Sequence, residues 1–268
     1  FLRWAKYIVE YGSLMINDVM RYVPLGYDTS GEMGLLSYMI AWFHKMLVAL
    51  GISSDVTYSA ILFPVFMFAL TSIAFFLFAR KIFYKENSAT RNIVALISTA
   101  FFVLVPSLLP RTIAGIPEKE SAAFFFMFMA FYFFLEAYTS EKISKGIVFG
   151  IFAGIMTGLM ALVWGGVIYI FMGIVPAILI AYFLKKIELK EFWIYCSWLL
   201  ASFAVMMPFS TRYGLRNLIT STSTAPAIAV LFIIGFGFIL MKTSFFKKIN
   251  EKIKKQKEIL SFIIITFI

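Results

Sequence analysis

The stretch Pro110-Arg-Thr-Ile-Ala-Gly-Ile-Pro-Glu-Lys-Glu120 separates two long apolar runs, 93–109 and 122–135. Apolar runs of this kind approach the roughly 20 residues that cross a bilayer as a helix. Proline and glycine interrupt helices, and charged side chains are expensive at a membrane unless they have a partner or a function. The stretch therefore predicts two membrane helices joined by a charged turn.

The composition of the whole chain supports the same class of protein. Hydrophobic residues make up 62% of the sequence and charged residues only 14%, which is too apolar for a water-soluble domain. The single Cys196 excludes a disulfide within the chain, and the single His44 argues against a histidine metal site. On a membrane protein, the net charge of +10 indicates topology, so we expect no nucleic-acid partner.

The apolar segments predict an all-α, polytopic transmembrane helix bundle. Segment 34–50 is apolar but contains His44 and Lys45, so it fits either a span or a helix lying at the interface. A further apolar run, 259–268, reaches the end of the sequence, and from it we expect a piece of a longer protein. The predicted spans are 57–79, 92–109, 121–138, 146–163, 167–184, 192–208 and 226–241.

Basic residues fill alternate connecting loops, which predicts that those loops are cytoplasmic. The turn 110–120, the Gly165-Gly166 connection and loop 209–225 then lie outside. Residues 1–56 also lie outside if segment 34–50 is interfacial. The basic loops contain Arg80, Lys81, Lys85 and Arg91; Lys142 and Lys145; Lys185, Lys186 and Lys190; and seven lysines between 242 and 257.

Two patterns within the spans are interpreted as structural. The glycines at 146, 150, 154 and 158 fall four residues apart, a spacing that gives a smooth helix face for close packing. The phenylalanine-rich run 124–134 is expected to fill the core or to face lipid, and we assign it no cofactor.

The chemistry of the charged turn depends on Glu118 and Glu120. Carboxylates are hard ligands that suit Mg²⁺ or Mn²⁺. On a helix, side chains two residues apart diverge by roughly 200°, so only one would bind the ion if Pro117 opens the next helix. Two carboxylates are also too few, so further ligands must come from elsewhere. The spacing alone is equally typical of an ordinary helix start, with proline followed by acidic residues in the first turn.

Residues 111–120 resemble the external-loop motif of the oligosaccharyltransferase catalytic subunit, Ser-Arg-Ser/Thr-x-Ala-Gly-x-x-Asp-x-Asp/Glu. Three other stretches agree in order. Residues 3–12 resemble Arg-x-x-x-Tyr-(Leu/Ile)-Val-Glu-x-Gly, residues 22–26 resemble Tyr-Pro-Leu-Gly with one insertion, and residues 164–166 match Trp-Gly-Gly. The resemblance covers roughly residues 1–190 and is nearest to the archaeal members.

The resemblance implies a bundle of the GT-C type in a cell membrane, with its catalytic face outside. Residues 1–56 would form the long first external loop with interfacial helices, and residues 57–268 the transmembrane bundle. The implied reaction is a metal-dependent, inverting transfer of an oligosaccharide from a dolichyl (pyro)phosphate to asparagine in Asn-x-Ser/Thr. The implied partners are a lipid-linked oligosaccharide, an acceptor polypeptide and membrane lipid.

By position, the resemblance implies that Glu118 replaces the family's metal-binding aspartate and Glu120 takes its second acidic place. Arg111 takes the place of the motif's arginine, and the implied cofactor is Mn²⁺ or Mg²⁺. Trp164, Arg212 and Arg216 are weaker candidates, and the two arginines also fit as interfacial anchors.

The chain departs from the family pattern at several points. Position 118 has glutamate instead of aspartate, and loop 209–225 contains Ser-Thr-Ser-Thr at 221–224 but no carboxylate. The family's Asp-x-Asp would precede Phe1. Its Trp-Trp-Asp-Tyr-Gly motif would follow Ile268. Its mobile-loop glutamate would also follow Ile268, or else it aligns with Thr224 and is replaced here. We therefore expect this piece to be inactive by itself.

Two alternative functions remain open at this point. One is another lipid-sugar-dependent transferase of the same architecture, such as an O-mannosyltransferase. The other is a transporter or flippase. The predicted spans contain almost no Asp, Glu, Lys or Arg, which argues against an ion-coupled carrier.

Overall fold

The computed structural model describes residues 1–242. Within them the chain is mostly helical, and the loop between the first two helices contains two antiparallel two-residue strands, β1 (Asn17–Asp18) and β2 (Tyr27–Asp28). The helices are α1 (Leu2–Tyr11), α2 (Leu35–Ala49), α3 (Val56–Ile82), α4 (Ser88–Val103), α5 (Lys119–Tyr138), α6 (Ile143–Val163), α7 (Ile168–Phe183), α8 (Leu189–Met206), α9 (Leu215–Thr220) and α10 (Ala225–Lys242).

The helix lengths confirm a multi-pass membrane protein of the all-α class. Five helical segments among the described residues are long and apolar enough to cross a bilayer: Val56–Ile82, Lys119–Tyr138, Ile143–Val163, Gly165–Phe183 and Leu189–Met206. Helices α2, α4 and α10 contain shorter apolar stretches. The predicted run 259–268 lies outside the described residues.

The predicted span 92–109 ends several residues too late. Helix α4 ends at Val103. The residue before a proline is disfavoured in the helical conformation, and Pro106 falls within the predicted span while Pro110 directly follows it. The chain leaves the helix there and forms a short 3-10 turn over Leu109–Arg111. The connection to α5 is therefore longer than the sequence indicated.

The basic loops meet at one end of the bundle, here named the lysine end. The Nζ of Lys81, at the end of α3, lies 2.9 Å from the carboxylate of Glu136, near the end of α5. Lys190, in α8, donates from Nζ to the carbonyl oxygen of Ser140 at 2.9 Å. The first three basic loops therefore lie at this end, while residues 243–257 of the fourth are outside the described residues.

The charged turn lies at the opposite end, here named the Glu118 end. The backbone N–H of Gly115 donates to the Ile61 carbonyl near the start of α3, at 3.0 Å. The hydroxyl of Tyr213, after α8, donates to the Ala161 carbonyl near the end of α6, at 2.7 Å. The start of α3, the end of α6 and the segment after α8 thus meet there.

Helices α6 and α8 approach so closely that side chains are excluded between them. A Cβ added to Gly158 would lie 2.5 Å from Cβ of Val205, and one added to Gly150 would lie 3.0 Å from the Ile194 carbonyl oxygen. The predicted role of the glycine spacing in close packing is confirmed. The glycines of α6 that face α8 are Gly146, Gly150, Gly154 and Gly158.

The phenylalanine-rich run contributes to the core between α3, α4 and α5. The ring of Phe128 meets those of Phe75 and Phe102 edge-on, with centroids 4.9 and 5.2 Å away. Aromatic pairs prefer this arrangement. The interpretation of the run as packing residues is confirmed for this part of it.

Candidate active site

Two of the three predicted catalytic residues meet at the Glu118 end. Arg111 ends the 3-10 turn, and Glu118 immediately precedes α5 with an extended backbone. The guanidinium Nη1 of Arg111 lies 3.5 Å from Oε1 of Glu118. Their side chains are 51% and 34% exposed, so solvent can still reach the carboxylate.

Glu120 occupies a different backbone environment from Glu118. Helix α5 begins at Lys119, so Glu120 lies in the first helical turn while Glu118 does not. A carboxylate in a first turn interacts favourably with the helix dipole. Pro117 precedes Glu118 and so lies before the helix. The helix-start interpretation therefore describes Glu120 well, and it leaves the carboxylate of Glu118 for another use.

The two carboxylates of the turn are of the ligand type that Mg²⁺ or Mn²⁺ prefers, but they are few. Among residues 1–242, no group of three His, Cys, Asp or Glu side chains is placed to share an ion. Mg²⁺ is often bound by only one or two carboxylates, with water and substrate phosphate as its other ligands. Glu118 and Glu120 fit that partial role, and their assignment as metal ligands stays a prediction.

The first segment of the chain, residues 1–34, is held together by a buried carboxylate that the sequence analysis did not single out. Asp18 is fully buried and accepts hydrogen bonds from both terminal nitrogens of Arg3, from Trp4 Nε1 at 2.8 Å and from the Met20 backbone N–H at 3.1 Å. The bond from Arg3 is the largest cause that lowers the pKa of Asp18 to about 2. Arg3 and Trp4 belong to a stretch that resembles the family, which was the available signal.

A cavity of about 340 Å³ lies between this first segment and the start of α5. The ammonium of Lys119, which lies between the two predicted glutamates, is 5.6 Å from the ring centroid of Phe1. The first segment and the charged turn therefore share one cavity. Its lining residues are Phe1, Arg3, Trp4, Arg21, Glu32 and Lys119.

The weaker candidates lie at the same end of the bundle. The ring of Trp164, directly after α6, packs edge-on against Phe124 of α5 with centroids 5.8 Å apart. Arg212 lines a smaller cavity of about 160 Å³, whereas Arg216 is exposed and does not line it.

Loop 209–225 also contacts the first segment of the chain. The backbone N–H of Thr211 donates to the carbonyl oxygen of Ser30 at 3.0 Å. The hydroxyl of Thr224 is buried and donates to the carbonyl oxygen of Leu218. The serine- and threonine-rich stretch 221–224 is thus at least partly structural.

The family is decided by a comparison with known protein families. The family model described as "Oligosaccharyl transferase STT3, N-terminal" matches residues 1–266. The chain belongs to the STT3 oligosaccharyltransferase family. The STT3 subunit of the dolichyl-diphosphooligosaccharide–protein glycosyltransferase of Saccharomyces cerevisiae is 27% identical over 173 residues, which are 63% of this chain. The STT3B subunit of Oryza sativa subsp. japonica is 26% identical over 157 residues, or 57%. The matches span only 23% and 20% of these STT3 relatives' own lengths.

Solved structures of an STT3-like protein confirm the fold. The archaeal oligosaccharyltransferase AglB from Archaeoglobus fulgidus, in complex with an inhibitory peptide and a dolichol-phosphate, has a TM-score of 0.75 at 18% identity. That match covers 99% of this chain and 32% of AglB. A crystal structure of the A. fulgidus oligosaccharyltransferase with Zn and sulfate has a TM-score of 0.74 at 17% identity, covering 99% and 34%.

Membership of the STT3 family confirms the resemblance inferred from the four sequence stretches. The STT3 relatives are glycosyltransferases, so the family favours an enzyme over a transporter or flippase. It also favours oligosaccharide transfer over an O-mannosyltransferase. The individual roles of Glu118, Glu120 and Arg111 stay predictions.

Proposed function

We propose that this protein transfers an oligosaccharide from a dolichyl (pyro)phosphate to the asparagine of Asn-x-Ser/Thr in acceptor polypeptides. The observation that carries the proposal is the position of Glu118, which pairs with Arg111 and directly precedes Lys119, a residue that lines the cavity formed with the first segment. Similar solved proteins hold a dolichol-phosphate and a peptide in one case, and Zn and sulfate in the other. These ligands are of the classes that the proposed reaction needs.

The chemistry requires help for a poor nucleophile and for a charged leaving group. The asparagine amide attacks the anomeric carbon, the C–N bond forms as the C–O bond to phosphate breaks, and the configuration inverts. The amide nitrogen gives up one proton, which the departing phosphate takes up. Glu120 would engage the amide and Glu118 would hold Mn²⁺ or Mg²⁺. When bound, the cation supplies positive charge that stabilises the departing phosphate. Arg111 would act as a positioning residue, because its guanidinium faces the Glu118 carboxylate.

The charge pattern supports an assignment of the side of the membrane on which the reaction occurs. The first three basic loops meet at the lysine end, and basic loops are usually cytoplasmic. We therefore place the Glu118 end, with the first segment and loop 209–225, on the external face. Lipid-linked donor and acceptor polypeptide would meet on that side of the membrane.

Substitution of Glu118 tests the proposed function. The full-length protein is assayed with a labelled Asn-x-Ser/Thr peptide and a lipid-linked glycan extract, with and without chelator. Glu118→Gln should lower transfer by about 100-fold or more, because a neutral amide binds a divalent cation poorly. Glu86→Gln, an exposed glutamate at the lysine end, is the matched control and should transfer normally. Full activity of Glu118→Gln without added metal would refute the assignment.

A further inference from the structure

A larger cavity, of about 550 Å³, lies between α3, α5 and α7 towards the lysine end. Its lining is apolar, and the hydroxyl of Tyr138 is the one polar side-chain group among the lining residues that the structure describes. Ile82, Gly173 and Ala177 belong to this lining and are exposed, so the cavity is a groove open to the outside of the bundle. Outside a membrane bundle the neighbouring medium is lipid, so this cavity, here named the α7 groove, faces acyl chains.

Two exposed lysines border the α7 groove where it reaches the lysine end. Ile82, which ends α3 and lines the groove, is followed three residues later by Lys85. The backbone N–H of Lys186 donates to the carbonyl oxygen of Ala181 at 2.9 Å, and its carbonyl oxygen accepts from the hydroxyl of Tyr138 at 3.4 Å. Ala181 and Tyr138 both line the groove, so the backbone of Lys186 is fixed beside two of its walls.

The lysine end has a surplus of positive charge when its carboxylates are included. The first three basic loops contain nine cations, and five carboxylates lie in or beside them: Glu86, Glu136, Glu141, Glu188 and Glu191. Glu136 is paired with Lys81, and Glu191 with Lys190. Within residues 1–242, neither Lys85 nor Lys186 forms an ion pair with a carboxylate. These two lysines therefore offer positive charge at the end of an apolar groove.

We propose that the α7 groove binds an anionic phospholipid of the leaflet at the lysine end, with one acyl chain in the groove and the headgroup at Lys85 and Lys186. The apolar lining matches the chain, and exposed lysines attract the net negative charge of such a headgroup. Lysine side chains at helix ends extend into the headgroup region while their stems cover apolar surface. The groove and the Glu118 end lie at opposite ends of the bundle, so the proposal does not depend on the proposed function.

Retention of lipid by the full-length protein tests the proposal. The protein in detergent is titrated with phosphatidylglycerol and with phosphatidylcholine of the same chains, and the affinity of the first bound lipid is measured by native mass spectrometry. One lysine near an anionic headgroup changes affinity by about fivefold, so the wild type should prefer phosphatidylglycerol by about 10-fold or more. Lys85→Gln and Lys186→Gln should each reduce the preference by about fivefold. Lys145→Gln removes an exposed lysine at the same end that does not line the groove, and it should leave the preference unchanged.

A second variant separates the groove from a general attraction of lipid to a basic surface. Ala177 lines the groove and is exposed, so the indole of Ala177→Trp would fill the groove without entering the core. Tight retention of both lipids should then be lost. Unchanged retention in Ala177→Trp, or an unchanged preference in both lysine variants, would overturn the proposal.

Two further outcomes would also contradict the proposal. Absence of retained lipid in the wild type would indicate that another segment of the protein or a partner subunit covers the groove. Competition by soluble glycerol phosphate as strong as that by the lipid would indicate that the lysines bind free phosphate. Because the measurement involves no glycan transfer, its result is separate from that of the peptide assay.

Discussion

Two regions of the molecule are held together in opposite ways. One is the contact between α6 and α8, and the other is the first segment around the cavity at the Glu118 end. At the helix contact, glycines remove side chains so that two backbones touch. Around the cavity, Asp18 brings Arg3 and Trp4 together through directed hydrogen bonds. Close backbone approach suits apolar surroundings, where dispersion and small residues drive packing. Paired charges suit the membrane boundary, where water remains available and specificity is needed.

The two regions also differ in how strongly their stability depends on a single residue. In the helix contact, the single polar bond is auxiliary: Trp198 Nε1 donates to Thr157 Oγ1 at 3.0 Å inside a surface of close contacts. In the first segment, Asp18 alone accepts the hydrogen bonds from the side chains of Arg3 and Trp4 and from the backbone of Met20. Substitutions in the two regions should therefore destabilise the protein for different physical reasons.

The largest effect on stability is expected from Gly154→Leu. A Cβ at this position would overlap the Trp198 carbonyl oxygen and would lie 2.6 Å from Cβ of Ala201, so the helices must separate. Overpacking of this kind should cost about 3 kcal/mol, measured as a lower thermal midpoint in detergent. Gly235→Ala is the matched control, because its Cβ would meet only the Phe192 ring at 3.4 Å. Equal midpoints for the two variants would show that the α6–α8 contact is not close.

A smaller and more local loss is expected from Asp18→Asn. The substitution removes the charge that both terminal nitrogens of Arg3 contact, and it leaves a neutral group in a fully buried position. The loss should be about 1–3 kcal/mol. It should appear as faster hydrogen exchange in the first segment, with α6 and α8 unaffected. Asp28→Asn is the control, since Asp28 is exposed and its side chain bonds only to Ser30 among the described residues, and it should exchange like the wild type.

The smallest effect on stability is expected from Arg111→Gln. The pair with Glu118 is half exposed and 3.5 Å long, and pairs of this kind contribute at most about 1 kcal/mol. The thermal midpoint should therefore stay within error of the wild type. Glycan transfer, in contrast, should fall if Arg111 positions the carboxylate. A large loss of stability would instead mean that the turn is part of the structural core.

The sequence predicted the parts of the fold that depend on repeated local patterns. Apolar runs located α3 and α5 to α8 within a few residues, because burying a helix in lipid requires a continuous apolar stretch. The α6 glycines predicted close packing, although not the identity of the partner α8. The end of α4 was predicted too late, because hydropathy continues through Pro106 while helical geometry does not.

By itself, then, the sequence determined the membrane class, the alternation of basic loops and, through four ordered stretches, the family. It also supplied Arg111, Glu118 and Glu120 as candidates, because these residues lie within one short motif. Only the tertiary structure decided that Asp18 is buried against Arg3 and that Arg21 and Lys119 line the same cavity. Arg21 and Lys119 lie far apart in the chain, and no local pattern encodes their meeting. It results from how the first segment packs on the start of α5, and that packing depends on contacts between distant residues.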